Sequence, residues 1–284
     1  MKKVLIGTGV LILILVAAAG GFYGLYVAPF LHAMMQTQTT QYDKQLTLIT
    51  GGGGNTGILV SDSAVLVIDT KMDEPAKSLS ETVHKLASNK PIIVINTHVH
   101  SDHTKGNSNY KGSTIIAGGN YDKAAFAKEA GDDGLATVWL KDSLVFNIGD
   151  ETVTVFNLPF SAHTQSDVMV YLHNRKMLFG GDVILNQSAP AMFGMYKADS
   201  KGYLKAFDLV ESRFDITAVV PGHGPVGGKE VIDNYRIFFN DMETAASQPD
   251  KEKELVAKYK DYRQVPFLMS PSATVSYIRK TSGK

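Results

Sequence analysis

A cluster of metal-ligand side chains constrains this chain more than any other feature. His98, His100, Asp102 and His103 form the pattern H-x-H-x-D-H directly after the apolar run Pro91–Ile95. Imidazole and carboxylate groups are ligands for divalent cations such as zinc. In an extended segment alternate side chains share a face, so the first two histidines can hold one ion, and a following helical turn would direct the other two ligands towards a second ion. The alternative is a polar loop that is rich in histidine by chance, which the density of ligands disfavours.

The composition restricts the possible partners and metal ligands. The 284 residues carry 28 basic and 28 acidic side chains, so the formal net charge is zero. A protein that binds nucleic acid normally has a basic stripe, and this balanced composition gives no sign of one, so we expect no nucleic-acid partner. The 44% hydrophobic and 20% charged residues are ordinary for a chain with a real core. Cysteine is absent, so any metal must be held by histidine and carboxylate.

The N-terminus predicts an export signal or a membrane anchor. Two lysines precede an apolar run from Val4 to Leu31. A cleaved signal peptide would end near the small residues Ala17–Ala19, whereas an anchor needs about 20 apolar residues. Because the run continues past Ala17–Ala19, we favour a membrane anchor over a cleaved signal, with a buried core helix as the third alternative. The rest of the chain would then lie outside the cytoplasm, anchored to the membrane, or be exported to the periplasm.

The remaining chain predicts one α/β domain. We expect an anchor or signal over residues 1–31, a polar linker over 32–41 and the domain over 42–284. Within the domain, β-branched runs predict strands and apolar residues at helical spacing predict helices. The predicted strands are Leu46–Thr50, Thr56–Val60, Ala64–Asp69, Pro91–Asn96, Thr114–Ala117, Ser143–Ile148, Glu151–Asn157, Asp167–Leu172, Lys176–Phe179 and Thr217–Val220. The predicted helices are Asp73–Ser88, Asn120–Glu129, Lys201–Arg213, Val231–Ala246 and Lys251–Tyr262.

The order of these elements predicts where a site would lie. The glycine run Gly51–Gly54 precedes a strand rather than a helix, so it predicts a hairpin turn in preference to a phosphate-binding loop. The order of strands, helix, buried strand and histidine-bearing loop occurs twice along the chain. We therefore expect two facing α/β halves with the site between them, at the ends of the buried strands.

Three more candidate ligands follow predicted strands. His163, Asp182 and His223 are each flanked by small residues, which allow close approach of a ligand. Singly each is a weak signal, because a histidine in a glycine-rich turn is often structural. Together with the six-residue cluster they give seven ligands, the number suited to two divalent ions. The remaining histidines, in the predicted linker, a helix and a turn, are interpreted as incidental: His32, His84 and His173.

The seven ligands resemble those of the metallo-β-lactamase-fold superfamily in order and spacing, over about Leu46 to Tyr235. Asp69, where the family often has an aspartate that supports a metal ligand from behind, adds weaker support. The resemblance implies an αββα sandwich, an α/β fold, with a dinuclear site along one edge, here preceded by an N-terminal apolar helix. It also implies a first ion on His98, His100 and His163, a second on Asp102, His103 and His223, and Asp182 bridging both.

Details of the sequence narrow the resemblance. The β-lactamase subclasses that place a cysteine on the second metal are excluded because the chain has none. Flavodiiron relatives have a glutamate at the position of His100, so redox di-iron chemistry is disfavoured. Ribonuclease-like relatives usually carry a nucleic-acid-binding insertion or a basic surface, and the sequence shows neither feature. The segment Ser161–Asp182 looks most like the general hydrolase branch that includes quinoprotein-relay proteins and glyoxalase II, although the glutathione-binding C-terminal region of glyoxalase II has no obvious match.

These features predict a metal-dependent hydrolase. Two divalent ions, with zinc expected, would activate a hydroxide that attacks an ester, thioester, lactone or amide group of a small-molecule substrate. Asp102 is the candidate catalytic residue that orients the hydroxide and carries a proton, and the alternative role is that of a ligand alone. Asn186 and Tyr196 are candidate substrate contacts on the segment Asn186–Lys201, which is either a mobile lip or a structural loop. The alternative function is a non-hydrolytic metalloprotein of the same fold, either an iron-dependent oxygenase or a metal or cofactor relay protein.

Overall fold

Two facing β-sheets form the centre of the structure, a computed structural model that describes residues 19–121 and 123–283. The first sheet has seven strands in the order β1-β2-β3-β4-β5-β6-β7, and the second has five in the order β12-β11-β10-β9-β8. The strands of the first sheet are β1 (Thr37–Gln41), β2 (Leu46–Gly51), β3 (Thr56–Val60), β4 (Val65–Ile68), β5 (Ile92–Ile95), β6 (Thr114–Gly118) and β7 (Val138–Leu140). Those of the second are β8 (Ser143–Ile148), β9 (Glu151–Asn157), β10 (Val168–Leu172), β11 (Met177–Gly181) and β12 (Ala218–Pro221).

The described residues contain these α-helices: α1 (Ala28–Met35), α2 (Asp73–Ala87), α3 (Ser101–Thr104), α4 (Lys123–Ala130), α5 (Ser200–Arg213), α6 (Glu230–Ser247), α7 (Glu252–Ala257) and α8 (Pro271–Ser282). Five of them cover the outer faces of the two sheets. Helices α2 and α4 pack on the first sheet, and α5, α6 and α8 pack on the second. The described residues therefore form the four layers, helix, sheet, sheet and helix, that the resemblance implied.

Alternation along the strands explains this layering. In β4, Leu66 and Ile68 belong to the core between the sheets, whereas Val65 and Val67 pack with the residues of α2. Successive side chains of a strand point to opposite faces, so a strand that is apolar throughout is buried on both sides. Helix α2 contributes Leu79 and Val83, which lie four residues apart on its buried face.

The topology brings the candidate ligands to one edge of the sandwich. Strands β4 to β7 are parallel in the first sheet, and β11 and β12 are parallel in the second. The loops after β5, β11 and β12 meet at the carboxyl ends of these strands, as expected for ligand sites in α/β sheets. Backbone hydrogen bonds join the two sheets there: Val168 N–H donates to the Thr97 carbonyl at 2.6 Å, and Asn55 N–H to the Gly222 carbonyl at 2.7 Å.

The N-terminal prediction requires a correction. No helix among the described residues is long and apolar enough to cross a membrane, so the predicted membrane anchor and the location derived from it are wrong. The first part of that prediction, residues 1–18, lies outside the described residues. The chain is helical from residue 19 to Met35 and then enters β1.

Four other segments differ from the sequence-based expectation. The predicted linker 32–41 contains β1, whose exposed threonine and glutamine side chains suit an edge strand paired with β2. The predicted helix Lys251–Tyr262 is α-helical only over Glu252–Ala257, after a 3₁₀ turn at Pro249–Lys251. Strand β7 and helix α8 were not predicted from the sequence.

Candidate active site

Four loops at one edge of the sandwich hold the seven candidate ligands. His98 lies in a bend after β5, and His100 directly precedes the helical turn α3, which contains Asp102 and His103. The helical turn agrees with the six-residue pattern, whereas the segment before it is bent rather than extended. The other three ligands lie in the β9–β10 loop, after β11 and after β12: His163, Asp182 and His223.

The first group consists of three imidazoles and one carboxylate. His100 Nδ1 lies 3.1 Å from His98 Nε2 and 3.0 Å from His163 Nε2. Asp182 Oδ2 lies 3.5 Å from His163 Nε2 and 4.0 Å from His98 Nε2. Four potential ligand atoms therefore converge on one point, close enough together to share an ion.

The second group lies beside the first and includes the other oxygen of Asp182. His223 Nε2 is 3.0 Å from Asp102 Oδ2, and His103 Nε2 is 3.6 Å from the same oxygen. Asp182 Oδ1 lies 3.3 Å from His103 Nε2 and 3.4 Å from His223 Nε2. The two oxygens of Asp182 thus face different groups, which is the orientation a bridging carboxylate needs.

Unpaired buried atoms indicate that these groups fit cations. His103 Nε2 and Asp182 Oδ1 are buried and have no hydrogen-bond partner among the described residues, although they lie 3.3 Å apart. A buried polar atom without a partner is costly, and a cation between these atoms would remove that cost. Imidazole and carboxylate donors without thiolate suit divalent zinc, iron or manganese. The family resemblance implies two such ions, and the donors present fit them.

Electrostatics differ between the two groups. Burial lowers the pKa of His98 and His100, and it lowers the pKa of His163 to about 3, so these imidazoles stay neutral, which is the form that binds metals. Burial also opposes protonation of His223, but the carboxylates of Asp182 and Asp102 raise its pKa to about 9. Carboxylates that stabilise an imidazolium would equally stabilise a bound cation.

Hydrogen bonds behind the ligands fix the orientation of three rings. His103 Nδ1 lies 2.7 Å from Asp69 Oδ2, His163 Nδ1 lies 2.8 Å from Tyr203 Oη, and His98 Nδ1 lies 3.1 Å from Thr97 Oγ1. Such partners set the tautomer of a metal-binding imidazole. Asp69 was expected in this role from the sequence. Tyr203 and Thr97 were missed, since Tyr203 is 40 residues away from its partner and nothing in its local pattern distinguishes it from a core residue.

Glycines allow the loops to approach the ligands closely. A Cβ atom on Gly54 would lie 2.2 Å from His103 Cε1, and one on Gly222 would lie 2.0 Å from Asp182 Oδ1. The predicted glycine hairpin between β2 and β3 is confirmed, and it packs directly against the ligand loop. Buried Lys71, which sequence reasoning missed, donates from Nζ to the carbonyls of Ile49 and Gly54, at 3.0 and 2.8 Å, as well as to Gly51.

A cavity of about 340 Å³ opens above the ligands. Asp102 and Asp182 lie in its wall together with apolar side chains, which are Met72, Ala191, Phe193 and Met269. Tyr196, a predicted substrate contact, also lines it: the ring centroid lies 4.5 Å from that of His100, and Oη donates to Glu129 Oε1 at 2.5 Å.

The other predicted substrate contact, Asn186, is not among the residues that line this cavity. Its Nδ2 donates to the Pro225 carbonyl at 2.9 Å, and its backbone N–H donates to the His223 carbonyl at 3.0 Å. The structure therefore places Asn186 as a support for the loop of His223 rather than as part of the cavity wall.

Comparisons with known proteins identify similar chains. A sequence model of the metallo-β-lactamase superfamily matches residues 49–223, a range that contains all seven candidate ligands. A metallo-β-lactamase type 2 from Bacillus cereus is 28% identical over 178 residues, which cover 62% of this chain and 68% of that protein. An acyl-coenzyme A thioesterase from Homo sapiens is 23% identical over 169 residues, covering 51% of this chain and 60% of that protein.

Solved structures show the same architecture. A metallo-β-lactamase from Pontibacter korlensis superimposes with a TM-score of 0.62 at 22% identity, covering 72% of this chain and 99% of that one. A similarity at this level of identity concerns the fold alone.

Proposed function

Because this chain belongs to the metallo-β-lactamase superfamily and is a hydrolase of that fold, we propose that it is a metal-dependent enzyme acting on an ester, thioester, lactone or amide bond of a small molecule. The observation that carries this proposal is the orientation of Asp182. Its two oxygens face two adjacent ligand groups at the base of a cavity that is open to a substrate.

The ligand residues would hold two divalent ions, for which zinc is typical of the family. When bound, such ions supply Lewis acidity and lower the pKa of a nearby water molecule towards neutrality. In the apo chain, burial alone would raise the pKa of Asp102, but His103 and His223 hold it well below its usual value, so Asp102 stays a carboxylate. Because Asp102 also lines the cavity, it can accept a hydrogen bond from the attacking water and orient it.

The cavity and the relatives support an acyl substrate. A volume of about 340 Å³ is within the range of small-molecule sites, and the apolar walls would bind the non-reacting part of a substrate. The names of the similar proteins include a β-lactamase and an acyl-coenzyme A thioesterase, and a lactam is a cyclic amide while a thioester is an activated acyl group. Lactams and thioesters both contain an acyl group whose carbonyl carbon is attacked during hydrolysis.

The test is an activity screen combined with metal analysis. The purified protein is assayed against esters, thioesters, lactones, phosphodiesters and β-lactams, before and after chelation, and again after zinc is added. Activity on an acyl substrate should disappear with the chelator and return with zinc. His98→Ala should lose metal and activity, whereas His173→Ala should keep both, because His173 lies outside both ligand groups and is hydrogen-bonded to Thr154.

Two results would contradict the proposal. Full activity after complete removal of metal would exclude the role given to the ligand groups. Stoichiometric iron together with oxygen uptake, without hydrolysis of any acyl substrate, would favour the non-hydrolytic alternative instead.

A further inference from the structure

Arg263 places an unpaired cation in the wall of the catalytic cavity. It follows α7, its side chain is exposed, and it lines the cavity together with Ser188 and Met269. Of the chain's five arginines, three form ion pairs and one lies over an aromatic ring; these are Arg175, Arg236 and Arg279, and Arg213. Among the described residues, no carboxylate lies within 4.0 Å of the Arg263 guanidinium. Its charge is therefore available to a ligand.

Two backbone hydrogen bonds fix the position of the Arg263 main chain relative to the metal-ligand residues. Its N–H donates to the Gln187 carbonyl at 2.8 Å, and its carbonyl accepts from Ala189 N–H at 3.0 Å. Gln187 and Ala189 belong to the segment that follows Asp182 and forms one side of the cavity. Two hydrogen bonds thus join Arg263 to the segment that forms one side of the cavity, although Arg263 is distant in sequence from every candidate metal ligand.

The cation lies on the His223 side of the cavity. Arg263 also borders a neighbouring cavity together with Gly224 and Pro225, which directly follow His223. The acidic residue Glu129 lines the catalytic cavity too, but it borders a different neighbouring cavity, and its carboxylate accepts the hydrogen bond from Tyr196. An anionic group that enters beside His223 would therefore meet the guanidinium without facing Glu129.

We propose that Arg263 binds a carboxylate group of the substrate, so that the enzyme prefers acyl compounds that carry a free carboxylate; this inference rests on the proposed function. A guanidinium presents two parallel N–H groups that match the two oxygens of a carboxylate. The apolar side chains Met72, Phe193 and Met269 would contact the carbon chain between that carboxylate and the reacting carbonyl. Arg263 lies beyond the range 49–223 that matches the superfamily.

The experiment compares two esters that differ only in charge. The anionic probe is mono-4-nitrophenyl glutarate, and the neutral probe is 4-nitrophenyl methyl glutarate, in which the carboxylate is masked as a methyl ester. Release of nitrophenolate is measured with the zinc-loaded full chain, Arg263→Gln and Arg263→Lys. Lys260→Gln is the matched control, since it removes a positive charge from an exposed position three residues away that does not line the cavity.

We expect the neutral substitution to act on the anionic probe alone. In Arg263→Gln the kcat/KM for the anionic ester should fall about tenfold, mainly through KM, because an exposed charge contributes modestly to binding. The kcat/KM for the neutral ester should stay unchanged, Arg263→Lys should recover part of the loss, and Lys260→Gln should behave as the unaltered protein does. Added salt should reduce the preference for the anionic ester by screening.

Two outcomes overturn the inference in distinguishable ways. If both esters are hydrolysed and their ratio is the same in Arg263→Gln as in the unaltered protein, or shifts equally in Lys260→Gln, Arg263 does not bind the carboxylate and the proposed hydrolase stands. If the unaltered protein hydrolyses no acyl substrate at all, the proposed function fails and the inference fails with it.

Discussion

His103 Nδ1 lies 2.7 Å from Asp69 Oδ2, and the same carboxylate accepts hydrogen bonds from the backbone N–H and the hydroxyl of Thr97, both at 2.7 Å. Asp69 therefore fixes the ring of His103 with Nε2 directed at the second ligand group. Because Asp69 has a positive φ of 61°, asparagine is the substitution that its backbone tolerates best. An amide NH₂ group in place of this carboxylate oxygen cannot accept the hydrogen bond that His103 Nδ1–H donates.

Asp69→Asn should therefore weaken zinc binding at the second group by about 10- to 100-fold. Competition with a chromophoric chelator measures this affinity. Asp133→Asn, which alters an exposed carboxylate paired with Lys111, is the control and should bind zinc normally. Unchanged zinc affinity in Asp69→Asn would show that the orientation of His103 does not depend on Asp69.

Asp182→Asn should reduce the metal content from about two ions per chain towards one, with turnover falling by at least about 100-fold. The substitution is nearly isosteric but removes a negative charge between two cations, and their repulsion is then less well offset. Elemental analysis after gel filtration measures the metal, and kinetics on an accepted substrate measures turnover. Asp215→Asn, at an exposed ion pair with Lys176, serves as control. Two ions and normal turnover in Asp182→Asn would contradict a bridging role.

Lys71 should make the stability of the protein depend on pH. Burial lowers its pKa to about 7, whereas an unfolded lysine titrates near 10.5. Between these values the unfolded chain binds the additional proton, so the free energy of unfolding rises with pH over this window. Lys71→Met should remove this contribution, which is at most about 1.4 kcal/mol per pH unit. Urea denaturation at pH 7 and pH 9 measures the difference. The exposed control Lys85→Met should keep the slope of the unaltered protein, and parallel slopes in all three proteins would contradict the prediction.

Tyr196→Phe should affect substrate binding more than turnover. The hydroxyl of Tyr196 donates to Glu129 Oε1 at 2.5 Å and thereby ties the segment Asn186–Lys201 to α4 at the side of the cavity. Without this bond the segment is held less firmly, and we expect KM to increase about three- to tenfold with the metal content unchanged. Steady-state kinetics and metal analysis distinguish the two effects. A loss of metal in this variant would indicate that Tyr196 supports His100 instead.

The candidate ligands could be predicted from the sequence because their signal is local. His98, His100, Asp102 and His103 lie within six residues of one another, and the apolar strands before the other ligands are recognisable by composition. The spacing of apolar residues in α2 and the β-branched runs of the strands are local as well, so individual elements were predictable, whereas the four layers were expected only from the family resemblance. The N-terminal apolar run predicted a membrane anchor, but no described helix is long and apolar enough to cross a membrane.

Only the tertiary structure decided which distant groups meet. Whether Asp182 directs its oxygens to two groups depends on how β11 and β12 lie against the loop after β5, and strand pairing over such separations leaves no local pattern. The contacts of Tyr203 with His163 and of Lys71 with the glycine hairpin are set in the same way. Asn186 and Arg263 show most directly what the sequence does not reveal. Asn186 is close to Asp182 in the sequence but supports the loop of His223, whereas Arg263 is about 80 residues from Asp182 and lines the cavity. The sequence determines the types of chemical groups and the local turns, and the packing of the two sheets determines which of those groups share a site.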